Sequence, residues 1–202
     1  MYLYSSYYYL WSAVIMKRWK NSLFVVVSLF CSVLLCASLT MGQNANGSGQ
    51  NNSEQNKKIS VLFLCTGNSC RSQMAEGWTR ALKSDSIIAY SAGVETHGLN
   101  PNAVQVMKEA GIDITGQRSK NISEFKDVHI DYVVAVCDHA VKTCPVFPQD
   151  CKVIRKLFND PPKMAKESAA RGESAEKQLD CYRAVRDQIR DFVKTLPESL
   201  NK

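Results

Sequence analysis

An apolar run that ends in a cysteine, with an arginine six positions further on, constrains this chain more than any other feature. Ile59, Val61, Leu62, Phe63 and Leu64 form a short hydrophobic stretch, as expected of a strand buried on both faces. The run enters Cys65-Thr66-Gly67-Asn68-Ser69-Cys70-Arg71-Ser72, after which Met74, Ala75, Trp78, Ala81 and Leu82 fall at helical spacing. Strand, tight loop and helix in that order let the loop amides converge on one tetrahedral oxyanion, with the positive end of the helix behind them. The oxyanion cradle then comprises Thr66, Gly67, Asn68, Ser69, Cys70, Arg71 and Ser72. Cys65 is the nucleophile of this arrangement, its thiol pKa expected to be lowered by the amides and Arg71. Arg71 supplies a planar fork that grips two oxygens, Ser72 donates to the thiolate, and Asn68 braces the loop.

The remainder reads as alternating strands and helices. Ser86 to Tyr90 predicts a second strand closed by Gly93, residues 102–110 a helix capped by Gly111, Tyr132 to Val136 a third buried strand, and residues 151–157 contain a fourth. Leu179, Tyr182, Val185, Ile189, Phe192, Val193 and Leu196 mark a long amphipathic C-terminal helix stopped at Pro197. The expected fold is α/β, a four-stranded parallel sheet with helices on both faces and ligands outside the carboxyl ends of the strands. Cys65 and Cys137 both lie at such ends.

Residues 58–202 carry 21 bases against 18 acids, too mild a surplus to argue for nucleic acid. A domain of that size needs no disulfide staples, so eight cysteines in the chain call for a chemical explanation. Zinc does not supply one, because the Cys65/Cys70 and Cys137/Cys144 spacings are wrong for it and no histidine is partnered with them. His97, His129 and His139 read as surface or loop residues. No metal and no cofactor are expected.

Ahead of this domain, Lys17, Arg18 and Lys20 precede an almost unbroken apolar run from Leu23 to Leu39. That is the pattern of an export signal, either cleaved or kept as an anchor. Met16 stands directly before the basic cluster and offers an alternative start. Thr40 and Gly42 suit a cleavage site better than Cys36 suits lipidation, since Leu35 precedes it. Gly42 to Asn56 is Gly, Asn, Gln and Ser with hardly a hydrophobe, a flexible tether. The expected organisation is a signal or membrane anchor over 1–41, a polar linker over 42–57 and a catalytic domain over 58–202, held outside the cytoplasm, or inside it if the start is mis-assigned.

The segment Val61 to Glu76 resembles the oxyanion loop of the low-molecular-weight tyrosine phosphatase superfamily, and its wording is similar to the thioredoxin-coupled arsenate reductase branch. The resemblance spans residues 58 to about 196. It implies that Asp160, followed by Pro161, is the general acid, although an Asp before Pro is otherwise an ordinary turn former. It also implies a relay of three thiols. Cys65 attacks arsenate, Cys137 attacks Cys65 to release arsenite, and Cys144 attacks Cys137 to leave a disulfide for thioredoxin or a thioredoxin-like reductant. Phosphate and sulfate should compete for the cradle. Cys70 has no step, and Cys151 and Cys181 are expected to be buried small hydrophobes. Pro162-Lys163-Met164 stands where phosphatases of this superfamily usually carry a tyrosine pair, which favours a small inorganic substrate. Some superfamily members hold potassium beside the loop; Asn68, Glu76 and Ser91 match that site, whereas Lys120 replaces the expected Asp with an ammonium. The main rival is a phosphotyrosine phosphatase that uses Cys65, Arg71 and Asp160; a tethered oxyanion or redox sensor is a third reading.

Overall fold

The computed structural model describes residues 57–143 and 151–201. The expected signal or anchor, nearly all of the linker, and Cys144 lie outside these residues. Among the described residues no helix is long and apolar enough to cross a membrane.

Strand β1 (Ile59–Cys65) lies between β2 (Ile87–Gly93) and β3 (Tyr132–Ala135), with β4 (Lys152–Arg155) outside β3, giving the order β2-β1-β3-β4 with every pairing parallel. The centre falls to β1 because Val61, Leu62, Phe63 and Leu64 are fully buried, and each such side chain contributes about 1.5–3 kcal/mol that an edge position would forfeit. From β1 the chain goes to one side to form β2, then crosses to the other side to form β3. The connections leaving the carboxyl ends of β1 and β3 therefore diverge and open a crevice between them. Cys65 and Cys137 flank that crevice.

Among the described residues five α-helices follow in chain order: α1 (Arg71–Leu82), α2 (Pro101–Glu109), α3 (Asp138–Thr143), α4 (Pro161–Ala170) and α5 (Ala175–Lys194). Helix α1 packs on β1, β2 and α5, while α2 and α4 also pack on α5. Met74, Ala75 and Trp78 of α1 and Tyr182, Val185, Ile189 and Val193 of α5 are buried, so the period read from the C-terminal sequence is the face that reaches the core. Asn100 caps α2 by accepting from the Ala103 N–H, with Pro101 in the first turn, and Ser174 caps α5 by accepting from Lys177.

Most element ends lie within a residue of expectation, and the larger differences have physical reasons. Strand β2 runs on to Gly93, its Ser91 and Ala92 being small enough to lie buried beside β1 as far as Cys65. Helix α4 is an element that the sequence reading does not assign; Pro161 and Pro162 both stand in its first turn, where a missing N–H costs nothing. Helix α5 ends at Lys194 rather than at Pro197, since the residue before a proline resists the helical basin.

Candidate active site

The loop between β1 and α1 has its carbonyls turned outward one after another. Cys65 O accepts from Val94 N–H at 3.3 Å, Thr66 O from Glu95 N–H at 2.9 Å, Gly67 O from His97 N–H at 3.0 Å, and Ser69 O from Asn100 N–H at 2.9 Å. Ser119 Oγ also donates to Gly67 O at 2.9 Å, Gln73 Nε2 donates to Asn68 O at 3.0 Å, and Met74 N–H donates to Cys70 O at 2.9 Å. A trans peptide whose carbonyl points out points its N–H in, so these bonds turn the following amides the other way, as the Asn68 N–H turned to Cys65 Sγ shows, which is how a loop of this kind can cradle an anion. Two glycines make the crowding possible. A Cβ on Gly93 would lie 2.6 Å from Thr66 O and 2.7 Å from Asn68 N, and one on Gly67 would lie 2.3 Å from Nδ1 of His97.

Asn68 holds φ +44°, the only positive φ outside glycine among the described residues. Its side-chain amide donates to Ser72 Oγ at 3.0 Å and Ser91 Oγ at 2.9 Å, and its Oδ1 accepts from Lys120 N–H at 2.7 Å and Gln73 Nε2 at 2.9 Å. In that pose its own N–H donates to Cys65 Sγ at 3.1 Å. Ser72 Oγ lies 2.8 Å from the same sulfur. Because Ser72 already accepts from Asn68, its proton is free to point at Cys65, as a thiolate requires.

The charge balance at Cys65 corrects one expectation. Burial pushes its thiol above the ordinary cysteine value; the Ser72 hydroxyl lowers it, neighbouring Cys137 raises it, and the Asn68 and Ser72 amides lower it. Arg71 is not among these influences. Its guanidinium is turned to Phe158 O at 3.1 Å and Asp160 Oδ1 at 3.2 Å, so the residue expected to lower the thiol pKa is instead paired with the expected acid. Cys70 is buried within the loop, and burial pushes its thiol well above the usual range, with Arg71 pulling it back.

Beneath the loop, Glu76 is fully buried. Its carboxylate accepts from the Ser91 hydroxyl, faces Lys120 Nζ at 3.2 Å and pairs with Arg80 Nη2 at 2.5 Å. Lys120 thus brings its ammonium to the cluster of Asn68, Glu76 and Ser91, as its replacement of an acid in the sequence suggests.

Across the crevice, Cys137 is buried and Thr66 Oγ1 lies 3.4 Å from its sulfur. Cys65 and Cys137 are therefore brought to neighbouring strand ends, while Cys144 lies outside the described residues. Asp160 is partly exposed beside a cleft of about 540 Å³ whose lining includes Arg71, Leu157, Phe158, Lys163 and Met164. Cys151 and Cys181 correct a further expectation, being half-buried rather than buried. Cys181 sits on α5 with Lys177 O 3.8 Å from its sulfur, and Cys151 packs at the margin of the core. Among the described residues no group of acids, histidines and cysteines is arranged to hold a metal ion.

Sequence reasoning missed Gln73, Ser119, His97 and Asn100, all of which hold the loop. A signal for Gln73 was present, since Ser72, Gln73 and Glu76 put polar groups on the first turns of a helix whose neighbours are apolar, and all three are buried. His97 and Asn100 act through their main-chain N–H groups and Ser119 through a hydroxyl from a distant segment, and spacing reveals neither.

The sequence profile of the family described as low molecular weight phosphotyrosine protein phosphatase matches residues 60–202. A protein named arsenate reductase from Halalkalibacterium halodurans is 46% identical over 144 residues, covering 71% of this chain and 98% of that protein. One of the same name from Bacillus subtilis is 45% identical over 139 residues, covering 69% of this chain and 95% of that protein. A solved structure described as an arsenate reductase in the phosphate binding state superposes with a TM-score of 0.56 at 34% identity, covering 68% of this chain and 95% of that one.

Proposed function

Since the chain belongs to the low molecular weight phosphotyrosine protein phosphatase family, we propose that its catalytic unit is an arsenate reductase rather than a phosphate ester hydrolase. The observation that carries this reading is the second buried thiol, Cys137, across the crevice from Cys65. Ester hydrolysis through a cysteinyl intermediate needs one thiol, whereas reduction needs a second to take over the electrons. Relatives named arsenate reductase, similar over the same residues, support it.

In this reading each group has its own step. An arsenate entering the amide ring displaces the Asp160 carboxylate from the Arg71 fork, so that two substrate oxygens take its place. The Cys65 thiolate, held by Ser72 and the Asn68 N–H, attacks arsenic, and the released Asp160, in its acid form, protonates the oxygen that leaves as water. Negative charge on the remaining oxygens is met by the inward amides. Cys137, as thiolate, then attacks Cys65 Sγ. The sulfur–arsenic bond breaks with its electron pair going to arsenic, which leaves as arsenite, and a Cys65–Cys137 disulfide forms. Cys144 attacks Cys137 in turn, freeing Cys65, and an external dithiol of the thioredoxin type reduces the Cys137–Cys144 disulfide. Phosphate and sulfate compete for the same amides.

The test compares arsenite release under a thioredoxin-type reductant with hydrolysis of p-nitrophenyl phosphate by the same preparation. Multiple arsenite turnovers with at most slow ester hydrolysis are expected. Fast hydrolysis without arsenite would establish the phosphatase reading instead.

For location, the proposal follows the apolar run Leu23 to Leu39 behind Lys17, Arg18 and Lys20, which delivers the catalytic unit across a membrane as a released or anchored domain. Fractionation should recover it outside the cytoplasm. Protection from external protease in intact cells, together with fully reduced thiols, would place it inside.

A further inference from the structure

We infer that Gln73 is a positioning residue for the nucleophile and that Gln117 supports it through its own side-chain amide. The inference rests on the reading of Cys65 as the attacking thiol and adds a side chain that contacts neither that thiol nor the oxyanion space.

Gln73 is completely buried in the first turn of α1. A carboxamide there destabilises the fold unless its polar atoms are bonded, and every one of them is. Its Nε2 lies 3.0 Å from Asn68 O, 2.9 Å from Asn68 Oδ1 and 2.9 Å from Arg118 O, two hydrogens shared among three acceptors. Its Oε1 accepts from Gln117 Nε2 at 2.6 Å, and the same nitrogen reaches the Gln73 carbonyl at 3.0 Å.

Two of these acceptors belong to Asn68, the residue in the left-handed region. One amide group thereby ties the main-chain and side-chain oxygens of Asn68 together and fixes the side chain relative to the backbone. In that arrangement Asn68 can donate to Cys65 Sγ from its N–H and to Ser72 Oγ from its side chain. An asparagine without the clamp has lower-energy basins available, and its N–H would turn from the sulfur. Gln117 is half-buried and lines an open cleft with Gly77, Arg80 and Ile112. A chain of hydrogen bonds therefore runs from that cleft through Gln117, Gln73 and Asn68 to the thiol.

The test reads the thiol directly and needs no arsenate. Iodoacetamide alkylation of Cys65 is followed across pH by mass spectrometry of its peptide, alongside thermal melting of the same full-length proteins. Gln73→Met keeps the bulk and removes the donors and the acceptor. With burial still raising the thiol, the alkylation midpoint should move up by about one pH unit, and the rate at neutral pH should fall roughly tenfold. Gln117→Leu, which removes only the outer bonds, should shift the midpoint in the same direction by less. Asn68→Gly enters the left-handed region without a clamp, so adding Gln73→Met to it should shift the midpoint less than in the wild type.

A folded Gln73→Met protein with an unchanged midpoint overturns the inference, and so does a lowered melting temperature with no change in midpoint, which would make the role merely structural. If Gln73→Met does not fold, an unchanged midpoint in Gln117→Leu overturns it. Wild-type Cys65 that phosphate fails to protect from alkylation would instead overturn the reading of the loop as an oxyanion site.

Discussion

The carboxyl ends of β1 and β3 hold one buried thiol each, and their surroundings differ. At the β1 end Cys65 receives Ser72 Oγ and the Asn68 N–H, and the loop around it is braced by Gln73, Ser119, Lys120 and the main chain of residues 94–100. At the β3 end Cys137 has Thr66 Oγ1 at 3.4 Å and is followed by the short helix α3, where Asp138 and Lys142 form an exposed ion pair. A nucleophile that must meet a tetrahedral centre on a fixed line gains from bracing. Under the proposed reading, the thiol at the second end must reach one sulfur and then be reached by another. The proposed function accordingly puts attack at the first end and exchange at the second.

Cysteine substitutions should break this comparison most completely. Cys65→Ser should release no arsenite at all, because serine lacks the nucleophile that begins the sequence. Cys137→Ser should take up arsenate without releasing arsenite, and Cys144→Ser should give a single turnover and trap a Cys65–Cys137 disulfide. Arsenite release from stoichiometric enzyme, with disulfide mapping by mass spectrometry, checks all three. Equal multi-turnover rates for Cys144→Ser and the wild type would remove the exchange role from this part of the chain.

The fork at Arg71 comes next. Lysine at 71 keeps the charge but cannot grip two oxygens, so arsenate turnover should fall by about two decades, on the order of 3 kcal/mol in the transition state. Because Arg71 also pairs with Asp160 in the free protein, the variant should release that acid as well. A loss below about fivefold in kcat/KM would mean that the amides alone hold the oxyanion.

Beneath the β1 end, Lys120→Met should act on stability. It leaves Glu76, which is fully buried, to Ser91 and Arg80 alone, and because Arg80 still balances part of the charge the loss should be about 1–3 kcal/mol, below that of a fully unpaired buried carboxylate. Denaturant unfolding should show that loss, with a midpoint change at constant slope. An unchanged midpoint would show that Arg80 suffices to balance the carboxylate.

Much of this architecture is legible in the sequence because it rests on local pattern. The apolar run Val61 to Leu64, the period of α5 and the C-x5-R loop each specify their own structure, whereas the place of Lys120 is suggested only by the resemblance, which expects an acid there. What the sequence conceals is of two kinds. Gln73, His97, Asn100 and Ser119 hold the loop through bonds between segments distant in the chain, and no spacing rule relates residue 73 to residue 117. The direction of Arg71 is hidden for another reason: its fork can serve an oxyanion or Asp160, and the structure turns it to the carboxylate, 3.2 Å away. The Cys65 thiol is likewise governed by burial, a tertiary property that motif reading underestimates.

The smallest effect should come from a thiol that belongs to neither strand end. Cys181 lies on α5, half-buried, with Lys177 O at 3.8 Å as its partner, a distance at which a thiol contributes little. Serine there keeps the size and a stronger donor to the same carbonyl, so Cys181→Ser should change stability by no more than about 0.5 kcal/mol and arsenate turnover by less than about twofold. This weak effect is informative because it separates thiol chemistry in general from thiol chemistry at the crevice. If all cysteines acted as a pool that shuttles disulfides, removing Cys181 would slow multiple turnover while sparing the first arsenite. Steady-state and single-turnover rates measured on the same variant distinguish the cases. A tenfold loss confined to the steady state would move the exchange path away from β3 and toward α5.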